Sequence, residues 1–185
     1  MKKNLSKSIL FGSVYLACIV LFILMTATKL GALKLSDLNG GYGMFDMKLF
    51  YTPEKFYEIL TMLGADGRMH YLQTHIIDYA FLTLFATAQF SLLYYFYNKL
   101  NLPTKASWLF LPVIGEFFAD IAENVSIDVL IRWTYPVQNA SLVRFASAMT
   151  ILKFVFLAAW IVTLVVLAVK YFAERAKKRE QTPQN

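Results

Sequence analysis

The chain has 185 residues, of which 58% are apolar and only 16% are charged, well below the charged share of a soluble domain. The length suits one domain, and one soluble core of this size cannot hold so many apolar residues. The net charge of +6 is concentrated in two basic tails beside apolar segments, which argues against nucleic acid and for a membrane surface. The only cysteine, Cys18, excludes a disulfide framework and a cysteine-based metal site.

The first apolar segment, residues 9–28, has the length that a helix needs to cross the hydrocarbon core of a bilayer. A cleaved signal peptide would have a shorter apolar region and an A-x-A-like site after it. No such site follows here, so we predict a retained membrane-spanning helix.

Residues 29–75 predict an outer loop that contains a short amphipathic helix. Thr52 is a suitable N-cap, Pro53 suits the first helical position, and Gly64 can end the helix. Its apolar stripe would either rest on the membrane surface or cover the bundle. The stripe consists of Phe56, Ile59, Leu60 and Leu63.

Residues 76–97, 108–131 and 145–169 predict three further spans. The expected fold is an all-α membrane protein with four transmembrane helices in a bundle, in a single domain over residues 1–173 with a tail at 174–185. The N-terminal tail, the link 98–106 and the C-terminal tail hold ten of the eighteen Lys and Arg residues, whereas the outer loop balances five basic residues with five acidic ones. Basic residues accumulate on the cytoplasmic side, so we predict cytoplasmic termini in a bacterial inner membrane.

The third predicted span is unusually polar for a membrane helix. A carboxylate at the bilayer centre costs about 2.5–3.5 kcal/mol, whereas each large aliphatic residue or Phe returns only about 0.3–0.6 kcal/mol. Because residues three and four apart share a helix face, its first three acidic residues form one stripe, which we expect neighbouring helices to cover. The polar residues of this span are Glu116, Asp120, Glu123, Asn124 and Asp128.

Polar residues on the other helices predict partners for this stripe. From the helical rise, Glu123 and Lys153 lie at the same depth, about 12 Å below the outer surface, and are natural partners. Four residues of the second helix occupy one sector, and three of them, Arg68, His75 and Asp78, would lie above this pair, towards the outer surface. The sequence therefore predicts a polar pocket in the outer half of the bundle. Its expected ligand-binding residues are Arg68, Tyr71, His75, Asp78, Asp120, Glu123, Asn124 and Lys153.

No motif for a cofactor, a nucleotide or a catalytic triad is present, and we expect no cofactor. His70 and His75 point about 140° apart on a helix and cannot bind one metal ion from it. His75 with neighbouring carboxylates could hold a divalent ion, but an interfacial hydrogen bond is the favoured interpretation, and we predict no metal site.

The polar segments resemble a family of bacterial four-helix integral membrane proteins to which no activity is assigned. The shared pattern is G-R-x-x-Y, D-x-x-E-N, Y-P and T-x-x-K, carried here by LGADGRMHYLQTHIIDYAF, ADIAENVSIDVLI, Tyr135-Pro136 and Thr150-Ile151-Leu152-Lys153. The resemblance covers about residues 50–160 and implies the fold but no activity. Where the family often has Phe-Pro, this chain has Phe81-Leu82, so a proline kink is not expected. The family positions are Gly67, Arg68, Tyr71, Asp78, Asp120, Glu123, Asn124, Pro136 and Lys153.

Three functions remain open from the sequence. The favoured one is binding of a lipid or a small amphipathic molecule, with Arg68 meeting an anionic headgroup. The second is a membrane enzyme for a lipophilic substrate, in which Asp120 or Glu123 is the general acid or base and Lys153 stabilises developing negative charge. The third is a small transporter or assembly subunit in which the Glu123–Lys153 pair is structural. Membrane lipids are the expected partners in each case, nucleic acid is not, and the oligomeric state is open.

Overall fold

The computed structural model of the protein describes residues 2–180, with side chains described from Phe11 to Arg179. Within this range the chain is helical, with no strand. The α-helices are α1 (Lys2–Ala27), α2 (Ala32–Leu38), α3 (Pro53–Lys99), α4 (Leu111–Val129) and α5 (Ala140–Glu180). A 3₁₀ segment, Thr104–Phe110, precedes α4, and a π-helical turn, Leu130–Thr134, follows it. The predicted all-α class is confirmed.

Three helical stretches are long and apolar enough to cross a membrane: Phe11–Leu38, Pro53–Lys99 and Ala140–Arg179. The first covers most of α1 together with α2, and the other two correspond to α3 and α5. Helix α4 differs because four carboxylates interrupt its 19 residues. The molecule therefore combines three helices suited to a membrane with a shorter acidic one.

Helix α3 joins the predicted amphipathic helix and the predicted second span in one element. Thr52 caps its N-terminus by accepting a hydrogen bond from the Lys55 backbone N–H at 3.3 Å, and Pro53 follows as the first residue. The helix breaks at Gly64, whose φ of 63° and ψ of −172° are non-helical. Glycine adopts this φ without the steric cost that a Cβ brings. Gly64 thus redirects the chain as predicted, and α3 has no second break at Phe81.

The outer loop is more structured than predicted. It contains the short helix α2, which the sequence analysis missed, and a turn in which the Asn39 side chain bonds both the Gly43 carbonyl and the Gly43 N–H, at 2.7 and 2.9 Å. The first turns of α3 lie over the loop and the bundle, and their apolar stripe is buried. The stripe joins one apolar cluster with Phe45, Tyr51 and Tyr71. The second alternative for the amphipathic helix, covering the bundle, is therefore the observed one.

Helix α5 is longer than its predicted span at both ends. It begins at Ala140 and continues to Glu180, through most of the predicted tail. Met1 and residues 181–185 lie outside the described residues, as do the side chains of Lys2, Lys3 and Lys7, on which part of the orientation argument rests.

The helices pack as two pairs, α1 on α3 and α4 on α5, with α3 also contacting α4 and α5. Gly115 allows close approach in the second pair, because a Cβ there would lie 2.5–2.7 Å from the Phe156 ring of α5. This arrangement leaves a cavity lined by α1, α3, α4 and α5.

Candidate functional site

A cavity of about 490 Å³ lies among the four long helices and the outer loop. Its wall on α1 is mainly apolar, α3 and α5 add phenylalanines, and the carboxylates come from the loop, α3 and α4. Lys153 on α5 is the cationic side chain of the lining. The lining consists of Cys18, Ile19, Phe22, Met25, Thr26, Asp46, Met47, Asp78, Phe81, Phe85, Glu116, Asp120, Lys153, Phe154 and Leu157.

A second, larger groove of about 580 Å³ involves α1, α3 and α4. Its lining contains aromatic, aliphatic and hydroxyl side chains but no carboxylate, lysine, arginine or histidine. We take the charged cavity as the candidate site because convergent polar groups, rather than volume alone, distinguish a ligand site.

Lys153 joins two carboxylates of α4 inside the protein. Its Nζ lies 3.1 Å from Asp120 Oδ1 and 2.8 Å from Glu123 Oε2, and the three side chains are between 0% and 15% exposed. The hydroxyl of Thr150, one turn before Lys153, donates to the other oxygen of Glu123 at 2.5 Å. Because 120 and 123 share one face of α4, and 150 and 153 one face of α5, both helices present their polar residues to each other. Equal depth alone was the basis for the predicted pairing of Glu123 with Lys153.

Asp78 connects α3 to the same region. Its Oδ2 accepts a short hydrogen bond from the side-chain amide of Asn124, and both residues are buried. Asp78 also lines the cavity, whereas Asn124 and Glu123 lie behind the lining. Of the eight predicted ligand-binding residues, the cavity surface therefore contains Asp78, Asp120 and Lys153.

His75 has a partner that the predicted site did not include. Its Nδ1 lies 2.7 Å from Asp128 Oδ1, and the hydroxyl of Tyr79 donates to the other Asp128 oxygen at 3.2 Å. His75 is fully buried but does not line the cavity. Asp128 lies four residues after Asn124 on α4, so helical spacing could have added it to the predicted set.

Arg68 and Tyr71 lie in the outer loop region, away from the cavity. The Arg68 guanidinium donates to the Leu60 carbonyl at 2.9 Å and stacks 4.2 Å from the centre of the Tyr135 ring. The Tyr71 hydroxyl accepts the Phe45 backbone N–H at 2.9 Å. The contact of Arg68 with Tyr135 ties α3 to the turn after α4, and the bond of Phe45 to Tyr71 ties the outer loop to α3.

Asp46 and Glu116 complete the polar lining and were absent from the predicted site. Glu116 belongs to the acidic stripe that the helical spacing identified. No local sequence pattern indicated that Asp46 belongs to the site, because its position depends on how the loop folds back over the bundle. It is 7% exposed and its Oδ1 accepts no hydrogen bond from the described residues. The bond from Phe45 N–H to Tyr71 fixes the backbone beside it.

Tyr51 is a further buried polar group of the loop. Burial, with a contribution from nearby Glu123, raises the pKa of its phenol far above the ordinary value. Tyr51 therefore stays neutral and adds no charge to the region.

No protein-family model, curated protein or solved structure matches the chain. In the part of the chain that the structure describes, no group of three or more His, Cys, Asp or Glu side chains is arranged to hold a metal ion. The family resemblance of the polar segments stays a prediction.

Proposed function

We propose that the protein is a four-span membrane protein that binds a lipid or another small amphipathic molecule in the cavity between α1, α3, α4 and α5. The observation that supports this is the division of the cavity wall into a phenylalanine-rich part and a charged part. Ligand cavities in proteins commonly measure about 300–1,000 Å³ and combine an apolar lining with a few polar groups. A cavity of about 490 Å³ has room for the polar head and part of the apolar body of such a molecule.

In this proposal α4 is the fourth span. Its 19 residues correspond to about 28 Å at the helical rise, close to the thickness of the hydrocarbon core. Its carboxylates do not have to face lipid, since Asp120 and Glu123 lie against Lys153 of α5, and Asp128 against His75 of α3. Polar groups in membrane helices are expected in this situation, turned towards the bundle and paired.

The proposed location is a bacterial inner membrane with both termini in the cytoplasm. The C-terminal end of α5 supports it with exposed basic residues that would meet the anionic lipid of the cytoplasmic leaflet. They are Lys170, Arg175, Lys177, Lys178 and Arg179. The cavity then lies in the outer half of the bundle, beneath the loop that carries Asp46.

The experiment is native mass spectrometry of the protein released gently from its membrane. We expect a co-purified molecule with an apolar part. Leu157→Trp places an indole in the cavity lining and should remove it. Val155→Trp is the matched control, because Val155 lies on the same helix, is exposed and does not line the cavity. An empty wild-type protein, or the same ligand at the same occupancy in Leu157→Trp, would contradict the proposal.

The enzyme alternative is favoured by one feature, a buried carboxylate beside a lysine at the cavity surface. Asp120 is the candidate acid or base rather than Glu123, because only Asp120 lines the cavity. Asp120→Asn separates the two functions. An enzyme should accumulate unconverted substrate in this variant, so the bound mass would differ from the wild type, whereas a binding protein should hold the same molecule or none.

A further inference from the structure

Acidic side chains outnumber basic ones on the cavity wall. Four carboxylates line it, from Asp46, Asp78, Glu116 and Asp120, against one ammonium group, Lys153. That ammonium is already within 3.1 Å of Asp120 and 2.8 Å of Glu123. Among the described residues no lysine, arginine or histidine forms a salt bridge with the other three lining carboxylates. Two basic side chains of α3 have partners elsewhere, Arg68 at the Leu60 carbonyl and His75 at Asp128.

Among the lining carboxylates, Asp46 has the fewest contacts that would stabilise its negative charge. Its side chain is more than nine-tenths buried and lines the cavity, yet its Oδ1 has no hydrogen-bond partner among the described residues. Asp78, by comparison, accepts a bond from the Asn124 amide. A buried carboxylate without a donor or a positive partner is costly, and a group that supplies positive charge from the cavity would offset that cost.

The apolar part of the wall suits a positive charge as well as an apolar body. The rings of Phe22 and Phe81 have centroids 5.8 Å apart, and Phe81 stacks on Phe85 with centroids 5.3 Å apart. The faces of aromatic rings attract ammonium groups, most strongly where water is excluded. In this cavity such rings stand beside carboxylates.

We propose that the molecule bound in this cavity is a cationic amphiphile, an amine or quaternary ammonium group on an apolar body, whose positive charge lies against Asp46 and Asp78. This inference rests on the proposed binding function and adds the sign of the ligand's charge. An anionic lipid headgroup would instead meet four carboxylates and a lysine that already has two partners.

The lone cysteine provides the measurement. Cys18 lines the cavity and is the only cysteine of the chain, so N-ethylmaleimide modifies a single site, which intact-protein mass spectrometry quantifies. The protein is studied in lipid nanodiscs with three probes that share one alkyl chain: dodecyltrimethylammonium, dodecyl sulfate and dodecyl maltoside, all below micellar concentration. The readout is the probe concentration that halves the alkylation rate.

We expect dodecyltrimethylammonium to protect Cys18 at a concentration at least about tenfold lower than either other probe, as one contact between an ammonium group and a buried carboxylate requires. Asp46→Asn and Asp78→Asn should each raise that concentration about tenfold. Asp37→Asn is the matched control, since Asp37 is an exposed acid of the outer region, outside the cavity. The comparison of the three probes on the wild-type protein tests the charge preference of the cavity even if a cavity variant folds poorly.

Two results would overturn the inference in different ways. Equal protection by the anionic, neutral and cationic probes, unchanged in Asp46→Asn, would show that the cavity binds amphiphiles without selecting their charge. The proposal of a cationic ligand would then be wrong, whereas the proposed binding function would stand. No protection by any probe, together with an empty wild-type protein in native mass spectrometry, would remove both.

Discussion

At the scale of single residues, Lys153 has the most partners in the charged region. Its ammonium lies against Asp120 and Glu123, while Thr150 on the same helix face donates a hydrogen bond to Glu123. Buried ion pairs of this kind often add little net stability compared with apolar residues of equal size, but loss of one partner leaves the others uncompensated. Lys153 and its partners on α4 therefore fix the packing of α4 against α5, independently of any ligand contact.

Lys153→Met should destabilise the protein by about 3–5 kcal/mol, because two buried carboxylates lose their positive partner. The free energy of unfolding in mixed detergent measures this. Lys29→Met is the control, since Lys29 is exposed and lies 3.8 Å from an exposed Asp37, and no measurable change is expected.

The triple variant Lys153→Met, Glu123→Gln, Asp120→Asn separates a structural role from a ligand-binding one. Neutral side chains on all three positions should recover most of the lost stability. If the triple variant is stable and binds the cavity ligand as the wild type does, the charges serve structure alone. If stability returns and the ligand does not, they take part in binding.

At the scale of secondary structure, α4 is the helix that depends most on its neighbours. Its acidic face would be costly in lipid, and α5 and α3 supply the lysine and histidine that meet it. Helix α4 also needs close approach to α5, which Gly115 permits. Small residues at helix contacts serve this purpose in membrane proteins, where apolar burial alone gives little drive for helices to associate.

Gly115→Ala should therefore destabilise the α4–α5 contact by about 1–3 kcal/mol, because the new Cβ would overlap the Phe156 ring. Thermal unfolding checks the change. Gly12→Ala is the control in α1, with nothing within 4 Å of its added Cβ, and the better helix propensity of alanine predicts no loss. Adding Phe156→Ala to Gly115→Ala should relieve the overlap. If Gly115→Ala lowers the stability equally with the Phe156 ring present and absent, this explanation is wrong.

At the scale of the whole molecule, the membrane topology depends on whether α4 crosses the bilayer. If it does, the links on its two sides face opposite compartments, and the chain termini share one. If only the three apolar helices cross, the termini lie on opposite sides. Residues 100–110, which include the 3₁₀ segment, and residues 135–139 form these two links in the structure.

We expect a membrane-impermeant maleimide to label Gln138→Cys on intact spheroplasts and to label Thr104→Cys only after lysis, each in a Cys18→Ser background. Both positions are exposed in the structure. Labelling of both from the same side would contradict a membrane-crossing α4. Labelling of Thr104→Cys alone from outside would reverse the proposed orientation.

The sequence by itself determined the helical class, because long apolar runs with a basic residue or a turn at each end leave few other folds. It also determined the acidic stripe of α4 and indicated Lys153 as the partner of Glu123, since helical periodicity and rise are local properties. The bend at Gly64 followed in the same way from a glycine at the end of a capped helix.

Beyond the Glu123–Lys153 pair, only the tertiary structure decided which polar residues meet. Asp46 reaches the cavity because the outer loop folds over the bundle and Tyr71 holds its backbone, a contact across 26 residues. His75 faces Asp128 rather than the cavity, and Arg68 lies on Tyr135, because both depend on how α3 is rotated against its neighbours. Periodicity places a residue on one face of its own helix, but the packing of separate helices decides what that face contacts.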